Sequence, residues 1–324
     1  MESFWSRLPK PFFVLAPMAD VTDAAYRRLI AEYGKPDITW TEFVSADGLY
    51  HTRKMKGMKD EENPLVRDLA YSEAERPVLA QLFTSDPDMM AYAAAFCREL
   101  GFDGIDINMG CPDRSIEKQG AGAAMMKDAK RAKEVYRAAA SSGLPVSVKT
   151  RIGYNAESMD EWLPALLEEK PAALTIHLRT RKEMSKVPAH WELMPKAVAL
   201  RDSISPATLI IGNGDIADLA DATSKVEASG ADGAMLGRGI FGNPWLFTGR
   251  DPDSITQEEK LEALAKLAEY FSEMSPPKHF AILKKHFKAF VNGFPGAAEL
   301  RAELMETTDY AILQDTLRKA RASA

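Results

Sequence analysis

The stretch ATLIIGNGDIADLADATSKVEASGADGAMLGRGIF (residues 207–241) reads as strand, turn, helix, strand, turn. Thr208–Gly212 and Gly233–Gly237 are short apolar runs that end on glycine, and Ala217–Ala228 between them has helical spacing. Two strands joined through a helix form a parallel βαβ unit. The same unit recurs toward the N-terminus, with strand-like runs at Phe12–Ala16, Ile38–Phe43, Val78–Leu82, Gly104–Asn108, Val146–Thr150 and Ala173–His177. Helical patterns lie between most of them, among them Ala24–Tyr33, Pro87–Leu100, Ala129–Ser141 and Ser158–Glu168. Eight strands alternating with helices over about 240 residues predict an α/β fold, a (β/α)8 TIM barrel. A doubly wound open sheet shares the alternation but uses fewer strands.

Beyond Trp245–Asp253 the pattern changes. Ser254 and Thr256 stand at capping-box spacing before Gln257 and Glu259, and a Leu/Ala-rich run continues to Met274. Pro276-Pro277 breaks it, and two helical stretches follow, His279–Asn292 and Ala297–Arg321, separated by Gly293-Phe-Pro-Gly296. The chain therefore divides into a barrel over residues 1–250 and an all-helical C-terminal domain over residues 251–324.

Of the 324 residues, 46% are hydrophobic and 27% charged, which suits a folded globular chain and excludes bulk disorder. No apolar run can span a bilayer, and MESFWSRLPKPFFVLAPM at the start has neither the basic segment nor the apolar length of a signal peptide. Cys97 and Cys111 offer neither a disulfide framework nor a zinc cluster. A cytoplasmic monomer without metal and without membrane contact is expected. The net charge of −6 argues against a protein that coats nucleic acid with its whole surface. Yet Pro276–Ala324 holds eight Lys and Arg against five Asp and Glu, a local +3 that leaves −9 for the rest.

Barrel sites are built where strands end at their C-termini. Those ends are Ala16-Pro17-Met18-Ala19, the neighbourhood of Glu42, Gln81, Asn108-Met-Gly-Cys111-Pro112, Lys149-Thr-Arg151, His177-Leu-Arg179, Gly212-Asn213-Gly214-Asp215 and Gly237-Arg238-Gly239. Any one of these polar residues alone reads as a solvated rim residue, but the set at one rim reads as a site. The loops GNGD and GRG expose backbone N–H groups at helix starts, the makings of a phosphate cradle, and Arg238 adds a charged fork. They are also compatible with ordinary βα turns. Neither is a Rossmann fingerprint or a P-loop, so a phosphorylated cofactor here would be a mononucleotide. Lys149 suits the N1–O2 edge of a flavin, whose reduced ring is an anion, with Gln81 and His177 bonding the same polar edge. A phosphate-binding or Schiff-base lysine stays open beside that reading. Cys111, in a Gly-Cys-Pro turn, can be a nucleophile, a metal ligand or a proton donor. No partner spacing supports a metal, no histidine is placed to activate a thiolate, and a thiol with an ordinary pKa near 8.5 is a proton donor at neutral pH. Cys97, among alanines on a helical pattern, reads as core.

The ordered set LAPMADVTD (15–23), TEFVSADGL (41–49), AQLF (80–83), GIDINMGCP (104–112), KQGAGAAMM (118–126), VSVKTRIG (146–153), TIHLRT (175–180), IGNGDI (211–216) and MLGRGIFGNPWLF (235–247) resembles the tRNA-dihydrouridine synthases, from about Val14 onward. The resemblance implies an FMN barrel followed by a helical domain that grips tRNA. It implies that reduced flavin passes hydride to C6 of a uracil, that Cys111 protonates C5, and that NADPH re-reduces the flavin. Pro17, Met18, Ala19, Gln81, Lys149, His177, Asn213, Gly214, Asp215, Gly237 and Arg238 would hold FMN, and Asn108 and Arg151 would contact the base. KEMSKVPAHWE (182–192) fits the family loosely and receives no role.

A base within folded tRNA reaches a barrel mouth only when flipped out, so the protein must hold the RNA around it. Lys278, Lys284, Lys285 and Lys288 form a candidate RNA surface, with Phe280, Leu283, Phe287 and Phe290 as a core stripe. A solvated lysine face is the plainer reading of such a run taken alone. Two further functions stay open: an FMN barrel acting on a free pyrimidine or enone, and a non-catalytic tRNA-binding barrel.

Overall fold

A computed structural model of the protein describes residues 3–322, so the expected outer domain limits at residues 1 and 324 fall outside the described residues. Nine strand segments, all parallel to their partners, form one sheet: β1 (Phe12–Leu15), β2 (Thr39–Trp40), β3 (Val44–Ser45), β4 (Val78–Phe83), β5 (Gly104–Asn108), β6 (Val146–Arg151), β7 (Ala173–His177), β8 (Leu209–Asn213) and β9 (Gly233–Leu236). The order is β1-β9-β8-β7-β6-β5-β4-β2, and a parallel bridge from Val14 to Ile38 joins the two ends. With helices between the strands this is the anticipated TIM barrel.

The expected second strand, Ile38–Phe43, is two pieces, β2 and β3, both paired to β4. The cause is the Thr41 side chain. Its Oγ1 donates to the Glu42 carbonyl at 2.8 Å and accepts the Gln81 N–H at 3.0 Å, displacing regular ladder bonds between the pieces. The other strands agree with the sequence reading within a residue or so at each end. The helices between them run Ala24–Tyr33, Pro87–Glu99, Ala129–Ala140, Met159–Leu167 and Leu219–Ser229, close to their sequence patterns. A further helix, Met194–Ile204, lies between β7 and β8.

Strand alternation sorts the barrel interior into layers. Phe12, Val14, Trp40, Leu79, Ala173, Ile211 and Met235 pack into one cluster, with Trp5 from the N-terminal segment against it. Gln81, Asp106 and Ser147, aligned by register, make a polar layer. The same register then sets Asn108 beside Lys149, Arg151 beside His177, and His177 beside Asn213 at the strand ends.

The helical region begins with Gln257–Ser272, whose Thr256 and Glu259 form a complete capping box. Ser254 lies instead in a 3-10 turn, Pro252–Ser254. The expected helix His279–Asn292 is a 3-10 turn, Phe280–Ile282, followed by a short helix, Lys284–Phe290. The expected helix Ala297–Arg321 is two helices, Ala297–Glu306 and Tyr310–Ala322. Thr-Thr-Asp divides them: Thr307 Oγ1 bonds back to the Leu304 carbonyl at 2.6 Å, and Asp309 Oδ1 accepts the Ile312 N–H at 3.0 Å to start the next helix.

These helices share one hydrophobic cluster with the barrel: Tyr26, Leu29 and Ile30 of the first helix meet Leu264, Leu267, Leu283, Phe287, Phe290, Leu313 and Leu317. Of the anticipated stripe, Leu283, Phe287 and Phe290 are buried, while Phe280 is half-buried against the cluster. Gly242, at φ +69°, lets the loop after β9 lie on the helix Lys284–Phe290; a Cβ there would stand 1.9 Å from the Ala289 carbonyl oxygen. Because the cluster is continuous, Phe287→Ala should cost about 3–5 kcal/mol and lower the melting of barrel and helices together. Two separate calorimetric transitions in that variant would contradict the shared core.

Candidate active site

At the C-terminal rim lies a cavity of about 230 Å³, lined by Pro17, Met18, Lys149, His177, Asn213, Gly214, Asp215, Gly237 and Arg238, together with Arg151, Arg179 and Ser185. Five strand ends, those of β1, β6, β7, β8 and β9, thus contribute to one space. A larger depression of about 530 Å³ beside Arg53, Tyr92 and Phe96 lies away from the strand ends, and its arginine is already bonded to Asp60 and Tyr92.

Lys149 Nζ lies 3.4 Å from Asn213 Oδ1, and Asn213 Nδ2 donates to the Met235 carbonyl at 2.7 Å, which fixes the amide. Burial lowers the Lys149 pKa to about 8, and Arg151 adds to that effect. His177 is held neutral: burial, then the neighbouring Arg151 and Lys149, depress its pKa to about 2. Arg179 Nη1 stands 3.3 Å from His177 Nε2. A guanidinium only donates, so Nε2 accepts and the ring proton sits on Nδ1. That Nδ1 is buried and has no partner, a donor left for a ligand.

Asp215, at φ +47°, collects the positive charges of the rim. It bonds to Arg179, accepts Arg238 Nη2 at 2.8 Å and takes the Ala189 N–H at 2.9 Å. The bond to Arg179, above all, holds its carboxyl below the usual carboxylate range. Gly214, at φ +126°, is required by space as well as by conformation, since a Cβ would sit 2.8 Å from that of Ala189. Lys149, Arg151, Arg179 and Arg238 against Asp215 leave the cavity cationic.

Four candidate residues do not line this space. Ala19 is exposed on the turn after Met18. Gln81 is fully buried in the polar layer, donating Nε2 to Asp106 Oδ2 at 2.6 Å and accepting Asn108 Nδ2 at 3.1 Å. Asn108 turns its Oδ1 to the N–H groups of Gly110 (3.2 Å) and Cys111 (2.9 Å), so it shapes the turn that presents the thiol. Cys111 is half-buried beside the cavity, and Arg151 Nε ties its neighbour Gly110 at 2.7 Å. The Cys111 carbonyl accepts the Ala123 N–H at 2.9 Å, and a Cβ on Gly122 would come within 2.7 Å of that carbonyl oxygen. Burial, chiefly, raises the thiol pKa, while Lys149 and Arg151 pull in the other direction.

Among the lysines of the C-terminal region, Lys285 and Lys288 are exposed. Lys284 is half-buried and donates to the Met305 carbonyl at 2.5 Å. The placing of Lys278 on an RNA-facing surface is corrected by its burial: its side chain is 3% exposed and its ammonium pairs with Glu42 at 2.7 Å. Lys278 lies in the connector ahead of the 3-10 turn Phe280–Ile282, whereas Lys284, Lys285 and Lys288 lie on the short helix Lys284–Phe290, so the four do not form one continuous helical face.

Sequence reasoning gave no role to Arg179, Asp106 or Ser185. Arg179 stands two residues after His177, and Asp106 is an acid between isoleucines on an inward strand face; both positions carry a signal. Ser185 reaches the cavity from a long loop, which periodicity does not reveal.

The chain matches the family model "Dihydrouridine synthase (Dus)" over residues 14–324. It is 41% identical over 313 residues to a "Probable tRNA-dihydrouridine synthase" of Staphylococcus aureus (strain COL), covering 96% of this chain and 93% of that one. It is also 41% identical over 325 residues to a "Probable tRNA-dihydrouridine synthase 2" of Bacillus subtilis (strain 168), covering 98% of each. Among solved structures, a 2-naphthoyl-CoA reductase aligns with a TM-score of 0.55 at 10% identity, over 73% of this chain and 49% of that one. A histamine dehydrogenase from Rhizobium sp. 4-9 aligns with a TM-score of 0.51 at 13% identity, over 82% of this chain and 49% of that one. This chain spans about half the length of those two, and at such identity they speak for the barrel fold alone. With a rim of this composition and relatives covered nearly end to end, the chain belongs to the dihydrouridine synthase family of enzymes.

Proposed function

We propose that the protein reduces a uridine of tRNA to 5,6-dihydrouridine, using FMN held at the barrel mouth. The observation that carries this reading is the convergence of Lys149, His177, Asn213 and Arg238 on one cationic cavity with the Cys111 turn tied to its edge by Arg151. The residues fit the cofactor. A cationic cavity suits a phosphate and an anionic reduced ring, the unpaired Nδ1–H of His177 awaits an acceptor, and Gly214 with Gly237 and Arg238 offers backbone and charge to a phosphate. Lys149 would lie at the ring's polar edge, and Pro17 and Met18 would wall it. When bound and reduced by NADPH, FMN supplies the hydride that C6 of the uracil accepts.

The remaining chemistry belongs to the chain. Cys111 donates the proton to C5. Burial keeps the thiol protonated at neutral pH, and Lys149 and Arg151 offset part of the cost of the thiolate left behind. Asn108 positions that thiol through the Cys111 N–H, and Gln81 positions Asn108. The barrel (1–250) performs the chemistry and the helical region (251–324) holds the RNA, with Lys285 and Lys288 offered to phosphates. We place the enzyme in the cytoplasm as a monomer without metal; no helix of the described residues is long and apolar enough to cross a membrane.

Cys111→Ala should retain FMN and tRNA but lose about 10²–10⁴-fold in dihydrouridine formation, the range of a lost general acid. Mass spectrometry of tRNA incubated with NADPH measures it, and unchanged turnover would refute the assigned proton donor. In the wild-type protein, alkylation of Cys111 should stay slow at neutral pH and accelerate only at a higher pH than for an ordinary exposed thiol, because the raised pKa keeps the thiol form in place.

FMN affinity should weaken as pH rises through about 8, where Lys149 of the free site gives up its charge. Lys149→Met should bind more weakly throughout and lose that pH dependence; an identical pH profile in the variant would remove Lys149 from the cofactor site. Lys285→Gln with Lys288→Gln should weaken tRNA binding and make its salt dependence shallower by about one phosphate contact per lysine, with FMN affinity unaltered. A gel-shift salt titration reads this, and an unchanged slope would exclude these lysines as phosphate contacts.

A further inference from the structure

Lys278 lies in the connector between the helices Gln257–Ser272 and Lys284–Phe290, and it is the one cation within 4 Å of four carboxylates among the described residues. Its Nζ stands 2.7 Å from Glu42 Oε2, 3.7 Å from Asp23 Oδ2, 3.8 Å from Asp68 Oδ1 and 3.9 Å from Asp20 Oδ1. Burial opposes its charge, but Glu42 and Asp23 outweigh that and hold it protonated. Glu42, 8% exposed, uses its other oxygen, Oε1, to accept the backbone N–H of Asp20. Asp20, at φ +55°, lies within the turn that the Val21 and Thr22 N–H groups close on the Met18 carbonyl, both at 3.0 Å, and the Met18 N–H is held by Thr22 Oγ1 at 2.9 Å. Pro17 and Met18 wall the cavity. A bonded path therefore runs from the C-terminal helices through one carboxylate to the proposed cofactor pocket.

We propose that Lys278 is a positioning residue for that pocket: it holds Glu42 in the orientation that pins the Met18–Thr22 turn at Asp20, so that docking of the C-terminal helices and the shape of the cavity wall are coupled. The electrostatics make the cation specific to this role. Without it, Glu42 would face Asp23, which cannot retreat because its Oδ1 caps the helix Ala24–Tyr33 through the Tyr26 N–H at 3.0 Å. Lys285 does not replace it, being one-third exposed and 3.8 Å from Asp20 only. This inference rests on the reading of the cavity as the FMN site.

The test uses the full chain with Lys278→Met, Lys278→Arg and Glu42→Gln. FMN affinity is read by quenching of flavin fluorescence, and amide exchange of residues 17–22 is read by mass spectrometry in the absence of FMN. Lys278→Met should weaken FMN binding about tenfold and speed exchange at Asp20, while Lys278→Arg should recover most of both. A folded Lys278→Met with wild-type FMN affinity and wild-type exchange overturns the proposal. If that variant does not fold, Glu42→Gln decides in the same way, since it keeps an acceptor for Asp20 but removes the charge that Lys278 holds. Should the wild type take up no FMN at all, the flavin reading falls, and exchange at Asp20 alone then upholds or overturns the pin.

Discussion

A closed ring of parallel strands has two unlike ends, and everything distinctive in this chain depends on that constraint. In a parallel ring every strand delivers its C-terminal residue to the same rim, so separate stretches of sequence supply one small space. The register fixes which residues become neighbours: Asn108 beside Lys149, Arg151 beside His177, His177 beside Asn213. The other rim is closed by apolar side chains, with Trp5 packed under Phe12, Val14 and Trp40. Polar residues accordingly rise in layers from an apolar floor, through Gln81, Asp106 and Ser147, to the charged mouth.

Concentrating cations at that mouth has consequences for each group in it. Lys149 and His177 both lose proton affinity, since each is buried and each faces Arg151. Histidine, with the lower intrinsic pKa, is driven fully neutral, while the lysine keeps its charge near neutral pH. One group thus remains a cation and the other becomes a directional hydrogen-bond donor. Asp215 keeps Arg179 and Arg238 from repelling each other, and its left-handed backbone follows directly after Gly214 at φ +126°. The strained pair Gly214-Asp215 is the backbone cost of placing one carboxylate between two guanidinium groups.

Much of this was legible in the sequence because strands and glycine turns carry local signals. Eight apolar runs with polar ends specify a barrel and a rim, and GNGD and GRG announce the two loops with unusual backbone. What escaped has physical causes of a different kind. The break between β2 and β3 comes from one Thr41 hydroxyl, and a β-branched residue in a strand-like run gives no warning of it. The division of the last helix rests on Thr307 and Asp309, whose capping chemistry is visible once looked for but is masked by apolar periodicity on both sides. Lys278 misleads most. A lysine ahead of three more reads as part of one charged face, yet its fate depends on Asp20, Asp23, Glu42 and Asp68, more than two hundred residues away, arriving in the same place.

The thiol and the lysines illustrate how the same charges serve two purposes. As the proposed proton donor, Cys111 would hold its proton until a substrate arrives and then release it, which asks for opposing influences. Burial supplies the first and raises the thiol pKa; Lys149 and Arg151 supply the second, favouring the thiolate. Arg151 reaches both the cavity and the Gly110 carbonyl, so one side chain links the electrostatics of the cavity to the placement of the thiol's turn. A neutral residue at 151 would therefore disturb two things at once, the thiolate's stabilisation and the turn's position. Lysine there would keep the charge but give up the fixed fork, which also bonds the Thr180 and Met184 carbonyls at 3.3 and 3.2 Å. The geometry thus explains the residue type: only a planar, permanently charged donor with several N–H groups can brace two loops and still present charge to the site.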